Sequence, residues 1–386
     1  MKAIPYGRQS INQEDIDAVI ETLQSDFLTQ GPKIAEFEKN FAEYIGSKYA
    51  VAVSNGTAAL HLCALVLNVS ENTNVITTPI TFAASANCIK YCGGNIFFCD
   101  INPETFLIDT YKLSELIKSK PKGFFSGIIP VDFAGLAVNL EEIKKIANEN
   151  NLWIIEDACH APGGYFIDSK GNKQNCGNSN FADLAIFSFH PVKHIATGEG
   201  GMITTNNKSL YEKLLLLRTH GITKSPELLK ENHGGWYYEM QELGYNYRMP
   251  DMLCALGISQ LKRADEGLKK RKEIADIYYN ALKNCKNITL QSKSVIAGHA
   301  YHLFIIKTKK RLELYNFLKS HNVFAQVHYI PVHTMPYYKN LGYNVGDFPL
   351  AEAYYNECLS LPMYPTLTAN EQNFVIQLIL KFDEQQ

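Results

Sequence analysis

From about Ile34 to Thr205 short apolar strands alternate with helical segments. Strands are expected at 50–53, 75–78, 95–99, 126–131, 153–156, 184–189 and 202–205. Alternation of this kind argues for an α/β fold, a mostly parallel sheet with helices on both faces. Ligands in such sheets bind in the crevice beyond the carboxyl ends of the strands. Residues 1–30 read as an N-terminal arm with one amphipathic helix around Glu14 to Leu23. Residues 31–250 make the large domain, and 251–386 a linking helix and a smaller C-terminal domain. The helical pattern there runs from about Asp251 to Leu282. Strands near 301–307 and 324–328 and helices near 310–320 and 369–383 follow. Asn139 with Glu142 gives a capping-box-like helix start, and Thr368 to Glu371 is a capping box. The polar stretch 164–182 reads as a hairpin or loop excursion. The irregular stretch 223–242 is either disordered or a loop that closes over a ligand.

Four strand ends carry chemistry. In FSFHPVKHIATGEGG (187–201) an apolar strand runs into a short loop with one lysine, Lys193, then a glycine-rich turn and a second apolar strand. A lysine on such a loop suits a Schiff base to an aldehyde cofactor, because burial and positive neighbours free its amine as a nucleophile. Most lysines near loops are simply solvated, so the loop alone does not decide. In WIIEDACHAPGG (153–164) Glu156 and Asp157 stand at the carboxyl end of a buried strand. A carboxylate there can pair with the protonated pyridine nitrogen of pyridoxal phosphate (PLP) and keep the ring an electron sink. It can equally cap the following turn. His160 packs over a cofactor ring or, read alone, is a satisfied interior histidine. In AVAVSNGTAALHL (50–62) a strand turns into a helix at Gly56 and Thr57. The free N–H groups and dipole of a helix start suit phosphate, and an ordinary capped turn looks the same. TTPITFAASAN (77–87) places Phe82 to stack on a flat cofactor or to fill a core.

Together these strings resemble the DegT/DnrJ/EryC1/StrS family of sugar aminotransferases, over nearly the whole chain. The most specific are EDACHA (156–161) and SFHPVK with the following GEGG. The resemblance implies PLP-dependent transferase fold type I, like aspartate aminotransferase. It implies a large domain with a mostly parallel seven-stranded sheet containing one antiparallel strand, and a smaller α+β domain. It also implies PLP as cofactor, with Lys193 forming the Schiff base and Asp157 binding the pyridine nitrogen. Ser188, Gly56 and Thr57 would hold the phosphate, and Phe82 and His160 would sandwich the ring. Within the family the chain looks most like enzymes that aminate C4 of a UDP-linked 4-keto-6-deoxy-N-acetylhexosamine, on the route to pseudaminic acid. SDFLTQGPK (25–33), LRTHGI (217–222), LGYNYR (243–248) and AQVHY (325–329) carry that likeness. It places Tyr6, Asp26, Phe27, Leu28, Thr29, Gln326, Val327, His328 and Tyr329 at the nucleotide sugar. Asn246 would reach the phosphate in the neighbouring subunit, making a homodimer with shared sites. SNGTAAL departs from the serine–alanine pair frequent in that subgroup, which weakens the subgroup assignment and not the enzyme class.

The resemblance suggests L-glutamate as amino donor. A dicarboxylate needs a cation, and Arg248 and Arg218 are candidates that serve equally as structural ion-pair partners or diphosphate ligands. Three other readings compete. Sugar dehydratases of similar fold carry histidine at the lysine position, and here that position is Lys193. Amination at C3, or of a dTDP- or GDP-linked sugar, keeps the machinery and changes the pocket; His160 in place of glutamine leans toward C4. A non-catalytic regulator would not need Lys193, Asp157 and Ser188 together. A nicotinamide enzyme is disfavoured, since the 198–201 turn lacks GxGxxG spacing and precedes a strand.

With 386 residues, a hydrophobic share of 46% and net charge −2, the chain has ample core. It has no general attraction for nucleic acid or anionic membrane, so any phosphate binding must be local. The nine cysteines show no CxxC pairs, and Cys88 and Cys92 share a helix face. No metal site is expected, and the pattern favours reduced thiols in the cytoplasm. No signal peptide or membrane span is expected; the most apolar stretch, 123–138, is broken by Pro130 and Asp132.

Overall fold

A computed structural model describes residues 2–385. Its centre is a seven-stranded sheet in the order Tyr49–Val53, Gly201–Thr205, Leu184–Ser188, Trp153–Asp157, Gly127–Ile129, Asn74–Thr77, Asn95–Phe98. Only Gly201–Thr205 runs antiparallel to its neighbours. Each expected strand of the large lobe is present within a few residues. The 126–131 strand is the most altered: its ladder stops at Ile129, and Val131 rejoins through a single bridge to Asp157.

The sheet is buried on both faces, which is why its strands read as continuous apolar runs. Successive residues prove it. Ile128 and Ile154 pack into one core cluster, whereas Ile129 and Ile155 pack into the cluster on the opposite face. All four side chains are fully enclosed. Truncating one to alanine would cost about 2–5 kcal/mol.

The expected long helix is instead two, Asp251–Lys262 and Ala264–Leu282, broken at Arg263. The break serves the N-terminal arm. The Arg263 guanidinium and the Gln260 amide both donate to buried Asp15 and to the Ser10 carbonyl. The period of the apolar pattern carries no trace of this, because the partner residues lie about 250 positions away in sequence.

The smaller lobe is a three-stranded antiparallel sheet, Thr289–Leu290, Phe304–Lys307 and Cys358–Leu361, covered by helices Arg311–Ser320 and Ala369–Glu384. The last of these strands, CLSL, escaped the sequence reading; four residues directly after a helix leave too little pattern. The strand expected at 324–328 is reduced to Val323–Phe324, paired in parallel with Ile4–Pro5 of the arm. From Ala325 the chain bends away, touching Ser360 through paired backbone bonds at Gln326, and so carries His328 and Tyr329 toward the sheet ends. The 164–182 excursion is a short hairpin, Tyr165–Ile167 with Lys173–Asn175. The 223–242 stretch is closed at its base by pairing of Ile222–Thr223 with Glu239–Met240.

Arg271 ties the linking helix to the smaller lobe. It is 1% exposed and donates to the carbonyls of Tyr301, His302 and Met363 at 3.2, 3.4 and 3.0 Å. Burial lowers its pKa to about 10. Arg271→Leu would leave three buried carbonyls without donors. It should lower stability by about 3 kcal/mol or more, read as a drop in the urea midpoint with an unchanged m-value.

Candidate active site

A cleft of about 710 Å³ opens at the carboxyl ends of the central strands, under the small-lobe segment that bears His328 and Tyr329. It gathers Tyr6, Gly56, Thr57, Phe82, Asp157, His160, Ser188, Lys193, His328 and Tyr329, ten of the positions singled out above.

Lys193 sits on a loop clamped at its root. The Phe189 amide donates to the Gly200 carbonyl at 2.9 Å, and the Thr197 amide to the Phe189 carbonyl at 2.9 Å. The turn itself closes from the Lys193 amide to the His190 carbonyl at 2.9 Å. Among the described residues no hydrogen bond or ion pair engages its Nζ. Burial lowers its pKa, and nearby Arg271 adds to this against the opposing pull of Cys159 and Asp157. A partnerless amine with depressed basicity is what Schiff-base chemistry needs.

Asp157 is buried, yet it borders the cleft. Its Oδ2 accepts from Ser85 Oγ at 2.6 Å, and Ser85 Oγ in turn lies 2.8 Å from Thr81 Oγ. Its Oδ1 accepts from the Cys159 amide at 3.2 Å, so the carboxylate also caps its own turn. Each oxygen retains acceptor capacity for a further N–H. Thr81 and Ser85 were missed in the sequence, although they flank Phe82 at i,i+4 spacing in a string already singled out.

At the helix start, Asn55 Oδ1 caps the Ala58 amide at 2.8 Å, which leaves the Gly56 and Thr57 amides unclaimed. A Cβ on Gly56 would stand 3.0 Å from Ser188 Cβ, so glycine keeps open the space shared with the Ser188 hydroxyl. This cradle of free amides beside a hydroxyl fits a phosphate.

His160 is enclosed, its Nδ1 3.2 Å from the Ala134 amide and its Nε2 3.1 Å from Tyr329 Oη. Its ring lies 4.3 Å from that of His302, which the sequence reading missed. His302 sits in HAYHLF, a string with no motif of its own, and reaches the cleft because Arg271 holds its backbone. Burial holds His160, His194, His302 and His328 neutral, reinforced by Lys193. Phe82 stands 62% exposed at the mouth, its ring 6.2 Å from that of Tyr329.

Other sequence candidates lie outside this cleft. Phe27 and Leu28 are exposed, and the Leu28 carbonyl accepts from the Asp251 amide. Asp26, Thr29 and Asn246 are also exposed at the surface. Gln326 folds back, its Oε1 accepting from the Val327 amide at 2.9 Å, and neither residue lines the cavity. Arg218 is not available to a ligand: its guanidinium pairs with Glu38 and donates to the Ala52 carbonyl. Arg248 pairs through its backbone with Val53 and does not line the cleft either. Lys193 is therefore the one lysine or arginine among the lining residues.

Behind Asp157, Glu156 and Asp132 are both 1% exposed, and with Cys176 their ligand atoms lie within 4.8 Å of one another. Gly177 N–H donates to Glu156 Oε1 and Val138 N–H to Asp132 Oδ1; the second oxygen of each carboxyl has no other partner. Two such carboxyls share a proton rather than both ionise.

A family model describing the DegT/DnrJ/EryC1/StrS aminotransferase family matches residues 9–380. The chain belongs to that family. It is 37% identical over 379 residues to a Campylobacter jejuni protein named UDP-4-amino-4,6-dideoxy-N-acetyl-beta-L-altrosamine transaminase, covering 96% of this chain and 95% of the relative. It is 34% identical to an Escherichia coli O157:H7 GDP-perosamine synthase, covering 99% of each. Among solved structures, Helicobacter pylori PseC, described as an aminotransferase of pseudoaminic acid biosynthesis, superposes with a TM-score of 0.89 at 31% identity, covering both chains fully. The protein is thus a fold type I, PLP-dependent sugar aminotransferase.

Burial raises the Asp132 pKa to about 6 and holds that of Glu156 well above the ordinary carboxyl range. Folded Asp132 therefore keeps a proton that the unfolded chain releases above about pH 4. Its contribution to stability is present at low pH and is lost as pH rises through 6. Asp132→Asn removes this titration. In urea denaturation the variant should gain on the wild type between pH 4.5 and pH 7, and a constant difference would refute the shared proton.

Proposed function

We propose that the protein transfers an amino group from L-glutamate to C4 of UDP-2-acetamido-2,6-dideoxy-beta-L-arabino-hex-4-ulose, in pseudaminic acid biosynthesis. The observation that carries the reading is the partnerless amine of Lys193 in one cleft with Asp157 and the Gly56–Thr57–Ser188 cradle. The choice of sugar is supported by the C. jejuni and H. pylori relatives. The E. coli relative supports a second reading, a GDP-linked keto sugar.

PLP, when bound, supplies the aldehyde that takes up the amino group and the ring that delocalises the carbanion. The residues divide the remaining work. The cradle holds the phosphate and so fixes the ring's position. Asp157, held in place by Ser85 and Thr81, would keep a proton on the ring nitrogen. The Lys193 amine, its basicity lowered by burial, would be the group positioned to take up and return the proton that moves during the transfer. Phe82 and His160 face the ring, and Tyr6, His328 and Tyr329 cover the sugar's side of the cleft.

A homodimer is supported by what one chain lacks. A sugar diphosphate and a dicarboxylate both need cations, and the cleft of one chain offers only Lys193. Exposed Asn246, and exposed Asp26 to Thr29, are then the residues a second subunit would bring to the site. The nine free thiols support a cytoplasmic setting, and no helix among the described residues is long and apolar enough to cross a membrane.

Lys193→Ala should abolish turnover, by more than a thousandfold (~4 kcal/mol), with the fold intact by circular dichroism. Asn246→Ala should weaken PLP binding. Mixing the two variants should restore activity beyond that of either alone, because one hybrid site is then whole, and no recovery would count against shared sites. A panel of UDP-, dTDP- and GDP-linked 4-keto sugars should favour the UDP substrate; a preference for GDP selects the second reading.

A further inference from the structure

The hydrogen bonds around His160 have a direction. Its Nδ1 faces the backbone N–H of Ala134 at 3.2 Å, and a nitrogen that accepts a hydrogen bond carries no proton. That amide is held firmly. Ala134 adopts a left-handed φ of 60° within the turn Phe133–Gly135. The small lobe pins the turn from both sides, through the Leu303 amide on the Ala134 carbonyl at 3.1 Å and the Ala300 amide on the Gly135 carbonyl at 2.7 Å. Burial and neighbouring Lys193, His328 and His194 keep the imidazole neutral. A neutral ring with a bare Nδ1 has its proton on Nε2.

Nε2 lies 3.1 Å from Tyr329 Oη, so the imidazole donates and the phenol oxygen accepts. Burial, with Tyr6, Asp157 and Cys159 nearby, keeps the phenol protonated. Its own hydrogen finds no acceptor among the described residues, although the ring borders the cleft. Tyr329 lies beside Tyr6 and His328, whose rings are 5.0 Å apart, and near Phe82 at the mouth. It belongs to the side by which a second ligand enters rather than to the phosphate cradle.

We propose that Ala134, His160 and Tyr329 form a one-way relay that sets the Tyr329 hydroxyl as a donor to an oxygen of the keto-sugar substrate. His160 is the positioning residue and Tyr329 the contact. The proposal rests on the keto-sugar reading above. It assigns His160 a task beyond facing the cofactor ring: it denies Tyr329 the option of donating backward. A sugar oxygen offered at that point meets a hydroxyl already turned toward it, so no reorientation is needed as it binds.

The test uses PLP-loaded enzyme and separates the two half-reactions. Tyr329→Phe should slow reaction of the aminated enzyme with the UDP-linked 4-keto sugar roughly tenfold or more. The glutamate half-reaction and the PLP dissociation constant should stay as in the wild type. Equal losses in both halves, or weakened PLP binding, would assign the donated hydrogen to the cofactor and overturn the proposal. An unchanged sugar half-reaction would overturn it too. Nitrogen-15 NMR of the histidines reads the relay without any substrate. His160 should show a pyridine-like Nδ1 and a protonated Nε2, and the opposite tautomer or a cationic ring would refute it. If the wild type aminates no keto sugar, the functional reading fails on its own, and the NMR result still decides the direction of the relay.

Discussion

The absence of one carbon atom lets the site exist. A Cβ on Gly201 would stand 2.6 Å from the Asn55 carbonyl and 2.9 Å from the Gly56 amide nitrogen, which no folded chain tolerates. With hydrogen there, the antiparallel strand Gly201–Thr205 closes against the turn that opens the phosphate cradle. The same strand continues from the Lys193 loop and pairs on its other side with Leu184–Ser188, which delivers Ser188. One close approach thus holds the amine loop, the hydroxyl and the helix start in register, and the last glycine of GEGG is there for packing rather than for the ligand.

Around that frame the charges are arranged with economy. The cleft of a single chain contains one basic side chain and a group of histidines held neutral, so its field is weak before ligands bind. The carboxylate that faces it is restrained by Ser85, Thr81 and its own turn. The two carboxyls buried directly behind share a proton, so the pair holds no more than one negative charge behind Asp157. In the proposed homodimer, cations for a diphosphate or a dicarboxylate would come from the neighbouring subunit. The buried pairing of Arg218 with Glu38 points the same way, since it spends on structure an arginine that a single-chain site would have needed.

Much of this was legible because strand ends in a doubly covered sheet advertise themselves. Seven apolar runs located the seven strands, and the residues just after them, Gly56, Phe82, Asp157, Ser188 and Lys193, meet in one cleft as local pattern allows. What escaped the reading depends on distant partners. The break at Arg263 exists because of Asp15, and His302 reaches the cleft because of Arg271. The four-residue strand Cys358–Leu361 forms because Phe304–Lys307 is there to pair with it. Residues placed by the family likeness divide: Tyr6, His328 and Tyr329 line the cleft of their own chain, while Asp26 to Thr29 and Asn246 stand on the surface and Gln326 and Val327 lie outside the cavity.

The central claim is that a partnerless Lys193 of lowered basicity and a restrained Asp157 equip this cleft for amino transfer. The most direct measurement is the visible absorption spectrum of the purified protein loaded with PLP, before and after addition of L-glutamate. The account predicts a band of lysine-bound cofactor that gives way to the amine form of the cofactor as glutamate is consumed. A protein that binds no PLP, or a bound band that glutamate leaves unchanged, would contradict it.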